Sequence, residues 1–365
     1  MQKPIAIPRG LGRGTPLTWV IGAIFSLAGI ILIYHGLTSS ESGDVRVNFS
    51  NPITPIKPLA AEGKTAQSVQ PVHIKSHLNV TNDELEPEKE DRPLVLYVYH
   101  ETDNARENIR FFIEHGLHAE ADFIFILNGP ATIKPSIPVH MPNIRIIERN
   151  NTCFDLGTHA QVLKRKNKLL MKKYKRFILL NASVRGPFMP TWSRECWTDT
   201  LLAKVTDKNK LVGISYNCAE PRHVQSMVLA TDKIGLSLLF PKINHCFDTL
   251  NNAVGGETSI TGAITAKGYG VTALMTAFQS SKDYAKTCTH RDVYFDKSYY
   301  GITIHPYEVM FQKANRNNEP DVLNRFTEWT DGMKYNSWAV CRRAANVKKA
   351  VREMKRRGSK LDFGM

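Results

Sequence analysis

The chain has 365 residues, room for one large domain or two small ones at about 150 residues each. Apolar residues make up 42% and charged residues 22%, which excludes wholesale disorder, a collagen-like repeat and a polytopic membrane protein. The formal net charge of +14 is concentrated in two places: residues 164–176 hold eight Lys/Arg and no acid, and residues 342–360 hold nine against Glu353 alone. The remainder is near neutral, so no general nucleic-acid-binding surface is expected.

In chain order, residues 1–16 form a short tail with Lys3, Arg9, Arg13 and no acid. Leu17 to Leu37 follow without a single Asp, Glu, Lys or Arg. A helix of that length is about 31 Å long, enough to cross a hydrocarbon core. With the basic tail on the cytosolic side, the sequence predicts a single-pass type II anchor at 17–37, with everything beyond it across the membrane. A cleaved signal peptide is the alternative, but its apolar stretch is usually only about 7–15 residues. Residues 38–92 are proline-rich and nearly free of aromatics, and they close on the acidic run DELEPEKED (83–91). They read as a flexible stem. A lumenal domain is expected over 93–340, and a basic C-terminal tail or helix over 341–365.

All six cysteines (Cys153, Cys196, Cys218, Cys246, Cys288, Cys341) fall beyond the apolar run. An even number in an oxidising compartment permits disulfides, and buried free thiols remain the alternative. No C-x-x-C or local Cys/His cluster calls for structural zinc.

Within 93–340 the runs LVLYVYH (94–100), DFIFILN (122–128), NIRIIE (143–148), RFILLN (176–181), LVGISY (211–216) and SMVLATD (226–232) have strand length and strand composition. A helical stretch around Ile109, Phe112 and Ile113 and a basic amphipathic helix over 155–173 separate the early ones. This alternation predicts an α/β domain with a mixed, mainly parallel sheet flanked by helices. Such sheets hold ligands at the carboxyl ends of their strands. Those ends carry His100-Glu101-Thr102-Asp103, Asn128-Gly129-Pro130, Arg149-Asn150-Asn151 leading into 153–159, and Asn181 to Phe188. Ordinary turn chemistry explains the Asn-Gly-Pro group well and the other late segments less well.

Three segments carry a resemblance. N-T-C-F-D-L-G-T-H (151–159), F-I-L-L-N-A-S-V-R-G-P-F (177–188) and P-R-H-V-Q-S (221–226) resemble motifs of the rhamnan-synthesis F-like glycosyltransferases. The resemblance spans about 93–310. It implies a GT-A-like (Rossmann-like) fold, a UDP-, GDP- or dTDP-sugar donor, and a glycan acceptor hydroxyl. With the anchor, it implies a type II protein of the Golgi membrane with a lumenal catalytic domain. Oligomeric state stays open. The implied donor-binding residues are Arg149, Asp155, Gly157, Asn181, Ser183, Arg185, His223 and His305. Asp155 has a second reading as the N-cap of a helix over 156–173. His305 lies in GITIHPYEVMFQK and is equally readable as a structural histidine.

GT-A enzymes commonly hold a divalent cation with Asp-x-Asp after the fourth strand, but this chain has no D-x-D, and Asn181-Ala182-Ser183 stands in its place. No residue is assigned as a metal ligand. Weak or absent metal dependence is expected, with Arg185 and Arg149 as substitute cations. A cation held elsewhere, or a silent protein that binds nucleotide sugar or glycan, remains open. For a base on the acceptor hydroxyl, Glu257 is the candidate, read as opening a helix after Gly255-Gly256, and Asp248 is second. Compensation of the helix dipole is the alternative role for Glu257. A membrane-tethered structural protein, with the basic helix as its contact surface, is the reading from a different class.

Overall fold

A computed structural model describes residues 92–316, 319–333 and 335–356. The apolar run 17–37 and nearly all of the stem lie outside the described residues. Among the described residues no helix is long and apolar enough to cross a membrane.

The continuous apolar runs become strands buried on both faces, as strands covered by helices on each side must be. The first half comprises β1 (Leu94–Tyr99), α1 (Asp103–His115), β2 (Asp122–Asn128), β3 (Ile144–Arg149), α2 (Asp155–Lys173) and β4 (Arg176–Asn181). The chain continues through β5 (Val184–Arg185), α3 (Trp197–Leu202), β6 (Asn209–Gly213), the hairpin β7 (Tyr216–Asn217) and β8 (His223–Val224), and β9 (Val228–Asp232). Then come α4 (Lys233–Ile243), α5 (Leu250–Thr265), β10 (Gly270–Ala273), α6 (Thr276–Gln279), α7 (Tyr284–Thr287) and α8 (Pro306–Val309). The last elements are β11 (Gln312–Lys313), α9 (Pro320–Gly332) and α10 (Ser337–Arg356).

Seven strands form one sheet in the order β10-β6-β9-β4-β1-β2-β3. All run parallel except β9, which is antiparallel to both β4 and β6. The expected mixed, mainly parallel sheet is therefore present. The antiparallel β9 starts where β4 ends, so the Gln225-Ser226 segment lies at the carboxyl edge beside Asn181. The backbone N–H of Asn181 donates to the Met227 carbonyl at 3.2 Å.

Local chemistry fixes the helices. Thr102 caps α1 by accepting from the Ala105 N–H, and Ile109, Phe111 and Phe112 turn its apolar face inward. Buried Trp197 donates its indole N–H to the Gly116 carbonyl at 2.8 Å and packs edge-on against Phe112 and Phe311. The helix read over 155–173 has those ends but is not continuous. Arg165 to Lys168 leave helical geometry, with φ of 46°, 55° and 61° at Lys166, Asn167 and Lys168. Lysines four apart (Lys164/Lys168, Lys168/Lys172) repel along a helix, which favours a break there.

All six cysteines pair, as Cys153–Cys246, Cys196–Cys341 and Cys218–Cys288, which settles the alternative between disulfides and free thiols. α10 runs through residue 341, and the buried Cys341 ties it to Cys196 just before α3.

Candidate functional site at the carboxyl edge of the sheet

The site is assembled by close approaches that glycine permits. Gly157, in the first turn of α2, faces the His245 carbonyl so closely that a Cβ there would sit 2.6 Å from it. The Phe154 N–H donates to the Phe247 carbonyl at 3.0 Å, and the Cys153–Cys246 bridge closes the same contact. The chain then turns into α5, capped by Thr249. Gly256 lies against the Phe247 ring, where a Cβ would meet Cζ at 2.3 Å. The start of α2 and the middle of α5 thereby converge on the end of β4.

At that convergence Asn181 is the hub. Its Nδ2 donates to Asp155 Oδ2 at 2.7 Å, and its Oδ1 accepts from the Ser183 N–H at 3.1 Å and hydroxyl at 2.6 Å. Burial pushes the Asp155 carboxyl up to about 6, and the nearby Glu257 charge adds to the rise. Lys313, the Asn181 bond and His100 act in the other direction. Glu257 is held by Ser226, whose N–H and hydroxyl both donate to Oε1, at 2.6 and 2.9 Å. Among the described residues no hydrogen bond engages its Oε2.

Opposite these carboxylates stands Lys313. β11 pairs antiparallel with β5, setting Lys313 against Val184, and the Ala314 N–H donates to the Ser183 carbonyl at 3.0 Å. Burial lowers the pKa of the Lys313 ammonium; Arg316 lowers it further, while Asp292, Glu257 and Asp155 oppose the shift. No hydrogen-bond acceptor or ion pair engages Lys313 among the described residues. Buried Asp292 accepts from Gln225 Nε2 and the Tyr294 N–H at 3.1 Å each, and from Arg316 at 3.3 Å. The site therefore holds carboxylates on one side and an unmatched ammonium, backed by Arg316, on the other. It suits a ligand carrying both hydroxyls and anionic charge.

No family model and no curated protein matches the chain. Solved structures resemble it loosely. The mannosyltransferase PcManGT of Pyrobaculum calidifontis, in complex with GDP-Man and Mn²⁺, is 10% identical over 51% of this chain and 55% of its own, with a TM-score of 0.35. The glycosyltransferase GlyE of Streptococcus pneumoniae is 10% identical over 68% and 66%, with a TM-score of 0.39. The apo form of mouse xyloside xylosyltransferase 1 is 10% identical over 63% and 99%, with a TM-score of 0.36. The chain thus spans about half of the first and just under two thirds of the second. Likenesses this loose carry no weight on substrate or reaction.

Of the residues singled out from sequence, Asp155, Asn181, Ser183 and Glu257 come together. Asp155 is the first residue of α2 and bonds Asn181; Phe154 occupies the N-cap position, so the capping role is not the one observed. Glu257 lies in the middle of α5, not at its opening, because Thr249 already caps that helix and Gly255-Gly256 are internal. Dipole compensation in a first turn therefore does not apply to it. Gly157 shapes the site through packing alone.

Arg149 stands at the end of β3, three strand spacings or about 14 Å along the edge from Asn181. Neutral oxygens surround it: Asn128 Oδ1 at 2.7 Å, Thr158 at 3.0 Å, Thr152 at 3.1 Å and Gln161 at 2.6 Å. Its charge is thus left unneutralised at the edge.

The other choices stand apart. Arg185 is buried in an ion pair with Glu107 at 2.6 Å and in bonds to Asn108 and Thr327, joining α1 to α9. This guanidinium is a structural cross-link, and the cation that the β5–β11 pairing sets beside the Asn181 turn is Lys313, with Arg316 held on Asp292. Asp248 is exposed and bonds Asn252 at the start of α5, nine residues before Glu257. His305 caps α8, accepting from the Tyr307 N–H, and its ring packs edge-on against Phe326. Buried His223 contacts the Pro221 carbonyl through Nδ1 at 2.7 Å.

Proposed function

We propose that the chain is a nucleotide-sugar-dependent glycosyltransferase of GT-A-like architecture, acting on a hydroxyl of a glycan acceptor. The observation that carries this is that β11 sets Lys313 beside the Asn181 turn, where Asn181 holds Asp155 and Ser226 holds Glu257, at the edge where a sheet of this topology presents its ligand. The three motif resemblances to the rhamnan-synthesis F-like enzymes fall on this edge and support the same reading. So does the arrangement of apolar run and stem before the domain, which fits a type II protein of the Golgi membrane.

In this reading the nucleoside lies toward β3 and Arg149, and the diphosphate lies against Lys313 and Arg316. An ammonium held in place before the reaction stabilises charge on the departing diphosphate without reorganising at that moment. Asp155 and Asn181 hold donor hydroxyls. Glu257, oriented by Ser226, takes the proton of the acceptor hydroxyl as it attacks the anomeric carbon.

A divalent cation does not fit this donor set well. Asp155 and Glu257 share their space with an ammonium, which repels a metal ion. Among the described residues, the close groups of three His, Cys, Asp or Glu lie elsewhere: Glu114, His115 and Asp331, and His118 beside the bonded sulfurs of Cys196 and Cys341. No step is assigned to a metal.

The reading is tested with Glu257→Gln in the full-length protein. Transfer should fall to background while stabilisation by the donor stays. Full transfer by the variant would remove Glu257 as the base. Donor binding by the wild type without turnover on any glycan acceptor would favour a silent binding protein of the same fold.

A further inference from the structure

A cleft of about 810 Å³ opens between α3 and α10, at the amino edge of the sheet and away from the candidate site. Four cations line it (Arg176, Arg194, Arg343, Lys348), against two acids, Glu195 and Asp199. Lys348 already pairs with Asp199 at 2.6 Å. Arg194 and Arg343 are exposed and have no acidic partner among the described residues. The cleft therefore carries a surplus of positive charge on two guanidinium groups, one on each wall.

The chain supplies the matching charge beside it. β1 and β4 pair in parallel with Leu94 opposite Phe177, so Pro93 enters the sheet next to Arg176, one strand spacing or about 5 Å away. Before it, separated only by Arg92, which is held on Asp122, comes Asp83-Glu84-Leu85-Glu86-Pro87-Glu88-Lys89-Glu90-Asp91, six acids and one lysine in nine residues. Nine extended residues span about 30 Å, enough to run the length of such a cleft. Tethering at Pro93 keeps the effective concentration of these carboxylates at the cleft high.

We propose that residues 83–91 dock in the cleft between α3 and α10, placing carboxylates on Arg194 and Arg343 and covering the Cys196–Cys341 bridge. The docked strap staples α10 to the sheet. It also brings the polypeptide onto the domain at the edge opposite the candidate site.

Carbodiimide coupling of the full-length protein in detergent, followed by peptide mapping, tests this, because the reagent joins lysines only to carboxylates in contact. The Lys348–Asp199 product serves as internal standard. Lys348 should also be joined to a carboxylate within 83–91. That product should be lost at about 1 M salt, where screening shortens from about 10 Å to about 3 Å. It should be lost too in the triple variant Glu86→Gln, Glu88→Gln, Glu90→Gln. In Arg194→Gln with Arg343→Gln, surface changes with little effect on folding, a Glu-specific protease should cut the segment faster than in the wild type. The standard forming with no product to 83–91 would overturn the proposal. So would products that join isotope-labelled to unlabelled copies in a mixed sample.

Discussion

The two edges of the central sheet treat charge in opposite ways. At the amino edge the strand-end carboxylates are matched: Arg92 pairs with Asp122 at 2.9 Å, Tyr174 donates to the same carboxylate at 2.6 Å, and buried Lys210 pairs with Asp232 at 2.6 Å. At the carboxyl edge Lys313 has no hydrogen-bond acceptor among the described residues, Arg149 rests on neutral oxygens, and burial raises the Asp155 carboxyl. A charge drawn partly out of water without an ion pair costs stability, so its persistence marks the edge where a ligand completes the set.

The largest expected effect lies at the paired edge. Asp232→Ala leaves Lys210 buried and unmatched and removes the cap on α4, where Asp232 accepts from the Gly235 N–H. It should lower stability by about 3–5 kcal/mol in urea unfolding. A loss below about 1 kcal/mol would mean that the amino edge is no better matched than the other.

Asp155→Asn comes next, and its sign depends on pH. The folded carboxyl titrates near 6, above its ordinary 3.8, so its stabilising contribution is full below about 3.8 and is lost as pH rises through 6. Relative to the wild type, the asparagine variant should gain on the order of 3 kcal/mol between pH 3.5 and pH 7. A pH-independent difference between the two would show that Asp155 is not buried as a strained charge.

Lys313→Met should cost less stability than Asp232→Ala, because Lys313 is half-buried and has no hydrogen-bond acceptor among the described residues, and it should raise the Asp155 carboxyl further by removing an opposing charge. Donor affinity should nonetheless drop by roughly tenfold to a hundredfold, the worth of about 1.5–3 kcal/mol for a hydrogen bond to a charged group. Smallest of all is Asp248→Ala, which changes an exposed side chain that accepts from Asn252 and should leave transfer rates as they are.

The strands were legible because a doubly covered sheet demands unbroken apolar runs, and 122–128 and 176–181 match their observed bounds. The reversed direction of β9 was not, since its Val228 to Asp232 run has the same composition whichever way it pairs. Asp155, Asn181 and Ser183 were legible as polar residues placed after strands. Lys313 was missed although its segment was noticed through His305. Its place is set by a two-residue pairing with Val184, more than a hundred positions earlier, and so short a strand leaves no periodic signal. The misplacement of Arg185 has the same origin. Local sequence names Arg185, but only the packing of α1 and α9 shows that it turns inward to Glu107.

The most direct measurement is the thermal stability of the full-length protein, wild type and Lys313→Met, against UDP-, GDP- and dTDP-sugars with EDTA present. At about a hundred times its Kd a donor should stabilise the wild type by about 2.7 kcal/mol, and the variant by much less. Equal stabilisation of both, or none of the wild type by any donor, would contradict a donor diphosphate held on Lys313 at the carboxyl edge.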